Sequence, residues 1–195
     1  MHLLGYGEDS WTYVALKNHL DEVLVKLEDS DNIHEIVVLY RPSFGRKKGI
    51  GEFDFIIMSA TRVYFGESKM AMGKKKSHQI KLKKCQINRH DALHRIIKSW
   101  FLLPIEGQYL SNLSSSQIGF HMPSHTSTLY SNLNSFVSFL SSKYTSCPQL
   151  VNTLLVFSDQ PIDRNATSSI DNFLIVNMII RDLGEVMLQN YINML

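Results

Sequence analysis

Two short segments carry the residue types that hydrolytic chemistry uses: Gly51-Glu52-Phe53-Asp54 and, after twelve intervening residues, Glu67-Ser68-Lys69. They sit in two apolar runs, 52–58 and 62–68, separated by Ser-Ala-Thr, a pattern that predicts a β-hairpin even though its turn lacks Gly or Asn. A turn centred between Ala60 and Thr61 sets Asp54 opposite Glu67 and Glu52 opposite Lys69, with all four side chains on one face. Two carboxylates facing each other on otherwise apolar strands repel, so a cation between them is expected to offset the cost. Carboxylate pairs with water and phosphate oxygens are the surroundings Mg2+ favours. A lysine two residues beyond the second acid lies beside that cation, where it can orient water or stabilise charge developing on a phosphate. With 18 acids and 13 lysines an acid-x-Lys triplet arises by chance about once. Its place at a strand end, opposite another acid, gives it weight. The competing reading is a solvated strand face closed by a Glu52 to Lys69 salt bridge.

The elements that must position these residues are legible from periodicity. Tyr13, Leu16, Leu20, Val23, Leu24 and Leu27 predict an amphipathic helix over about 10–28, capped by Asp9 or Ser10. Glu35 to Tyr40 reads as a strand ending at Arg41-Pro42. Leu93, Ile96, Ile97, Trp100 and Phe101 mark a second helix, with Asn88 as its expected cap and Asp91 completing a capping box. Residues 111–146 hold twelve serines around an apolar stripe, Leu129, Leu133, Phe136, Val137 and Leu140, that predicts a helix. Val151 to Phe157 and Asn172 to Val176 read as buried strands, and a last helix is expected from about Asn177. The expectation is one domain over 1–195, with a Ser-rich insertion at about 103–148. Its fold class is α/β, a mixed central sheet flanked by helices.

Charge narrows the partners. Residues 69–98 contain ten Lys or Arg against the single acid Asp91, a net +9, while the rest of the chain carries −7. Such a segment suits a polyanion such as nucleic acid, or forms a solvated basic loop. No apolar run approaches the roughly 20 residues of a membrane helix, so no membrane partner is expected. The first residues do not read as a signal peptide, and two cysteines fit a reducing, cytoplasmic setting.

These segments resemble the PD-(D/E)XK nuclease superfamily, which includes restriction endonucleases, Holliday junction resolvases and repair nucleases. The likeness covers roughly residues 5–100, departs from the motif's name in having Phe53 in place of proline, and is strongest to the nuclease-related (NERD) branch, with Gly7-Glu8 opening a helix. The resemblance implies a restriction-endonuclease-like αβββαβ core and a Mg2+-dependent endonuclease acting on DNA, with Mn2+ as a substitute. It implies that Asp54 and Glu67 ligate the metal, that the Ser68 carbonyl adds a ligand, and that Glu8 acts through water. Lys69 is then the catalytic lysine, and Gln86 matches a glutamine that some members place near the site. Lys74, Lys75, Lys76, Lys81, Lys83, Lys84, Gln86 and Arg89 are the expected nucleic-acid contacts, and a homodimer is compatible with this reading.

For Glu8 the competing reading is a first-turn acid favoured by the helix dipole. A rival site is His90-Asp91-Ala92-Leu93-His94, whose i, i+4 histidines have zinc-binding spacing but no evident third ligand. A fold that binds nucleic acid without cutting it, and an interaction module using the Ser-rich insertion, are the remaining alternatives.

Overall fold

The computed structural model describes residues 8–45, 50–71, 80–103, 110–113, 123–162 and 172–183. Its elements are α1 (Glu8–Asn18), α2 (Leu20–Lys26), β1 (Val37–Tyr40), β2 (Ser43–Phe44), β3 (Gly51–Glu52), β4 (Phe55–Met58), β5 (Arg62–Ala71), α3 (Lys84–Leu102), α4 (Thr128–Lys143), β6 (Gln149–Ser158) and β7 (Leu174–Ile179). A mixed five-stranded sheet in the order β1-β4-β5-β6-β7 forms the centre. Its first three strands are antiparallel, and β6 and β7 run parallel to β5. This is the expected α/β architecture of a mixed sheet flanked by helices.

Alternation along the strands assigns each face to its helices. Phe55, Ile57, Tyr64, Leu155 and Phe157 pack with Val14, Ala15, Val23, Leu24 and Leu27 of the α1–α2 layer. Ile56, Met58, Val63 and Phe65 pack on the other face with Leu93, Ile96, Ile97 and Trp100 of α3 and Leu133, Phe136, Val137 and Leu140 of α4. The helix within the Ser-rich stretch is thus part of the core. Its Ser141 hydroxyl accepts from the Trp100 indole at 2.6 Å, and Ser127 caps its start by accepting from the Tyr130 N–H at 3.2 Å. Among the described residues no helix is long and apolar enough to cross a membrane.

The β4–β5 hairpin has the expected register: Phe55 faces Gly66, Ile56 faces Phe65, and Met58 faces Val63. Its turn closes without Gly or Asn because Asp31 Oδ2 accepts from the Ala60 N–H at 2.6 Å. Gly66 is required where it stands, since a Cβ there would lie 2.1 Å from the Phe55 ring.

The structure corrects four expectations. The first helix breaks at His19 (φ −132°, ψ 28°) into α1 and α2. The run from 52 splits at Phe53-Asp54: the Phe53 N–H turns to the Pro42 carbonyl at 3.1 Å, and Glu52 pairs with Ser43 in a separate two-stranded sheet. Glu52 therefore does not face Lys69. Helix α3 starts four residues before Asn88, where the Gln86 side chain accepts from the Lys83 N–H at 2.9 Å. Asn177 lies inside β7, its amide donating to the Val156 carbonyl at 3.1 Å; helix begins only at residue 180, and residues 184–195 lie outside the described ones.

Candidate functional site

Asp54, Glu67 and Lys69 come together where the chain leaves β4 and approaches the end of β5, and the first turn of α1 brings Glu8 to them. Asp54 leaves the hairpin register just before β4: its N–H donates at 3.0 Å to the carbonyl of Gly66, the residue already paired with Phe55. There the strand parts, and the Asp54 carboxylate takes the vacated acceptor place, receiving the Ser68 N–H at 2.7 Å. The Arg41 N–H holds the Asp54 carbonyl at 3.0 Å. Arg41 adopts a left-handed φ of 51°, and its guanidinium reaches Asp9 at 2.7 Å and Glu52 at 2.8 Å. That clamp ties the start of α1 to the segment before Asp54, and it replaces the expected Glu52 to Lys69 pair.

Lys69 instead places its ammonium 3.0 Å from Glu8 Oε1 and 2.6 Å from the Ser68 carbonyl. Thr12 anchors the same strand end from α1, donating to Ser68 Oγ at 2.7 Å. Both Glu8 and Lys69 are partly open to solvent, at 33% and 24% side-chain exposure. The first turn of α1 thus places Glu8 at this corner.

Glu67 is fully buried beneath α3. Arg89 donates to its two oxygens through Nε at 2.8 Å and through Nη2, Gln86 donates to Oε2 at 2.6 Å, and His90 Nε2 lies 3.1 Å from Oε1. A carboxylate offers about four lone-pair positions, and here each oxygen has two partners. The Arg89 guanidinium is itself held over the Phe53 ring, 5.4 Å from its centroid. Gly51, at φ +108°, lies so close beneath it that a Cβ would come within 3.3 Å of Nη1. Gln86 and Arg89, expected to meet nucleic acid, therefore face inward onto Glu67. Lys81, Lys83 and Lys84 are exposed at the start of α3, and Lys74, Lys75 and Lys76 lie outside the described residues.

The electrostatics divide along the same line. Asp54 is pushed up to about 6, mainly by burial and then by the negative charge of Glu67, with the Ser68 N–H and Lys69 pulling the other way and Glu8 adding to the rise. The four expected groups thus sense one another. The repulsion foreseen between Asp54 and Glu67 is present, but the protein's own Arg89 and Lys69 offset part of it, so a metal is not required to explain the pairing.

The donor chemistry nonetheless suits Mg2+: Asp54 and Glu67 offer hard carboxylate oxygens, Asp54 is held to the Ser68 N–H, and Asp54 keeps a raised pKa that a cation would lower. Among the described residues no group of three His, Cys, Asp or Glu is placed to hold a metal, so Asp54 and Glu67 would need water and phosphate oxygens to complete a Mg2+ site. For Glu67 to serve, one of its four donors must withdraw.

The zinc reading of His90 and His94 finds no such support. His90 is fully buried, its two ring nitrogens committed to Glu67 and, at 2.9 Å, to Asn152 Oδ1. His94 packs on Phe65 at 5.2 Å between centroids, and its buried Nε2 has no hydrogen-bond partner. Burial, followed by His90 and Lys98, holds His94 down at about 4, so its imidazole is neutral near pH 7.

The role of His90 and the inward aim of Arg89 were not read from the sequence, although a signal exists. Extending the apolar stripe of α3 towards its start, from Leu93 by steps of three and four, lands on His90, Arg89 and Gln86. Three hydrogen-bonding residues on a core-facing stripe call for a buried acceptor, and Glu67 is it. No protein-family model, curated protein or solved structure matches the chain.

Proposed function

We propose that this chain is a Mg2+-dependent endonuclease of the PD-(D/E)XK type that hydrolyses phosphodiester bonds of DNA. The observation that supports this reading most is the gathering of Glu8, Asp54, Glu67 and Lys69 at one corner, where Lys69 bonds Glu8 and the Ser68 carbonyl, Asp54 accepts the Ser68 N–H, and Asp54 is raised by the charge of Glu67. Asp54, Glu67 and the Ser68 carbonyl would hold the divalent cation, which supplies activation of water and neutralisation of phosphate charge.

The chain's own groups do the rest. Lys69, fixed by Glu8, sets its ammonium where the non-bridging phosphate oxygens gain charge as water adds to phosphorus and the ester P–O bond breaks. Arg41 keeps Asp54 and the start of α1 in register. Exposed Lys81, Lys83 and Lys84, with Lys74 to Lys76, contact the DNA backbone and read no sequence. The test is nicking of supercoiled plasmid with Mg2+ or EDTA, run with wild type and Lys69→Ala: the reading expects Mg2+-dependent cleavage that the variant loses while still binding DNA.

One observation favours a second reading, a nucleic-acid-binding domain that does not cut. Every acceptor position of Glu67 is filled by protein donors. DNA binding with no cleavage in either metal condition would select it.

A further inference from the structure

We infer that Arg89 is the resting-state counter-cation of Glu67 and exchanges with the divalent metal, so that Glu67 becomes a ligand only when the guanidinium withdraws. This rests on the nuclease reading and deepens it by naming the group that controls metal entry. Four observations carry it. Glu67 is fully buried, so its charge must always be compensated. Arg89 compensates it with a two-pronged contact that takes one lone-pair position on each oxygen. Gln86 and His90 take the other two, so leaving of the guanidinium alone opens both oxygens while the carboxylate stays anchored. Finally, Arg89 is the one of the three whose charge is permanent, and its side chain keeps 15% exposure, whereas His90 is fully buried.

The ligand able to draw Arg89 off is a phosphodiester. The guanidinium fork fits phosphate as well as carboxylate, and exposed Lys83 and Lys84 lie one to two turns before it on the same helix. Metal loading is thereby coupled to substrate: phosphate takes the arginine, and the cation takes its place at Glu67.

The probe is Mn2+ alone, with Arg89→Gln, which removes the charge while keeping a hydrogen-bond donor. Without metal the variant should melt below wild type. Millimolar Mn2+ should return it to the wild-type melting temperature or above, and calorimetry should show Mn2+ bound at least tenfold more tightly than by wild type. Adding Asp54→Asn to the variant should abolish both effects. A purely structural arginine would behave otherwise, giving a destabilised variant that Mn2+ does not rescue and whose Mn2+ affinity is unchanged or weaker; that result overturns the exchange. If the variant is unfolded in metal-free buffer, circular dichroism with Mn2+ decides in the same way, recovery supporting the exchange and its absence overturning it. If wild type binds Mn2+ through Asp54 and Arg89→Gln gains nothing, the exchange falls and the nuclease reading stands. If neither protein binds Mn2+, both fall.

Discussion

The two sides of the site differ in how they satisfy negative charge. Under α3, Glu67 is sealed from water and saturated by Arg89, Gln86 and His90, a finished network in which every acceptor position is used. At the α1 corner, Asp54 holds a single backbone donor from Ser68 and is left with a raised pKa, while Glu8 and Lys69 pair at the surface. One half is built like a structural core, and the other leaves a carboxyl group with one backbone donor and a raised pKa. The difference teaches that the sealed half can serve as a rigid platform only while its charges stay paired, and that whatever binds must enter from the open half.

Breaking the sealed half should have the largest effect. Glu67→Ala leaves the partly buried Arg89 and the fully buried His90 without their acceptor, and should cost about 3 to 5 kcal/mol of stability in urea unfolding. A loss below about 1 kcal/mol would show that water replaces the carboxylate and that the network is not closed. Lys69→Ala, in the open half, should leave the melting temperature nearly unchanged and reduce plasmid cleavage on the order of 10² to 10³, with DNA affinity little altered. Equal cleavage by the variant would remove Lys69 from the chemistry.

Titration sharpens the contrast further. Asp54 has a folded-state pKa of about 6 against an ordinary 3.8, so the folded chain binds its proton more tightly. Its contribution therefore lowers stability as pH rises between about 4 and 6. His94 works in the opposite direction: held at about 4 against an ordinary 6.5, it lowers stability as pH falls through that window. The two slopes oppose each other in the native protein. Asp54→Asn should raise stability by about 1 to 3 kcal/mol at pH 7 and uncover a stability that falls steadily from about pH 6.5 to 4. Urea melts across that range check both signs, and a variant with no gain at pH 7 would mean that Asp54 is already compensated.

The smallest expected effect belongs to the basic segment. Replacing Lys74, Lys75 and Lys76 with Ala should weaken DNA binding without regard to sequence and reduce the salt slope by up to about 3, because each phosphate contact releases a counterion. Unchanged binding at low salt would leave the basic segment as solvated chain.

Which parts of this were legible in the sequence follows from how local their causes are. The β4–β5 register could be read because a short turn between two apolar runs leaves one way to bury both; it holds from Met58–Val63 to Phe55–Gly66 and ends before the expected pairing of Asp54 with Glu67. The split at Phe53-Asp54 could not, since it depends on a two-residue strand, Ser43–Phe44, with too little sequence to show a period. The Glu52 to Lys69 pair failed for that reason, and Arg41 and Glu8 became the partners instead. The capping of the turn by Asp31 is likewise invisible to a local reading, as the two are 29 residues apart. Glu67's donors stood in plain view as Gln86, Arg89 and His90 on one helical stripe. Gln86 and Arg89 read as nucleic-acid contacts because a basic segment looks like a surface when charge is counted without asking which face of the helix carries it.

Single-turnover cleavage of supercoiled plasmid as a function of Mg2+ concentration, with wild type and Asp54→Asn side by side, tests the account at its centre. Wild-type cleavage should rise from nothing with Mg2+ and saturate, and the Asp54→Asn protein should be folded, at least as stable as wild type, bind the plasmid, and not cut at any Mg2+ concentration. Cleavage by Asp54→Asn at the wild-type rate, or wild-type cleavage that persists in EDTA, would contradict it.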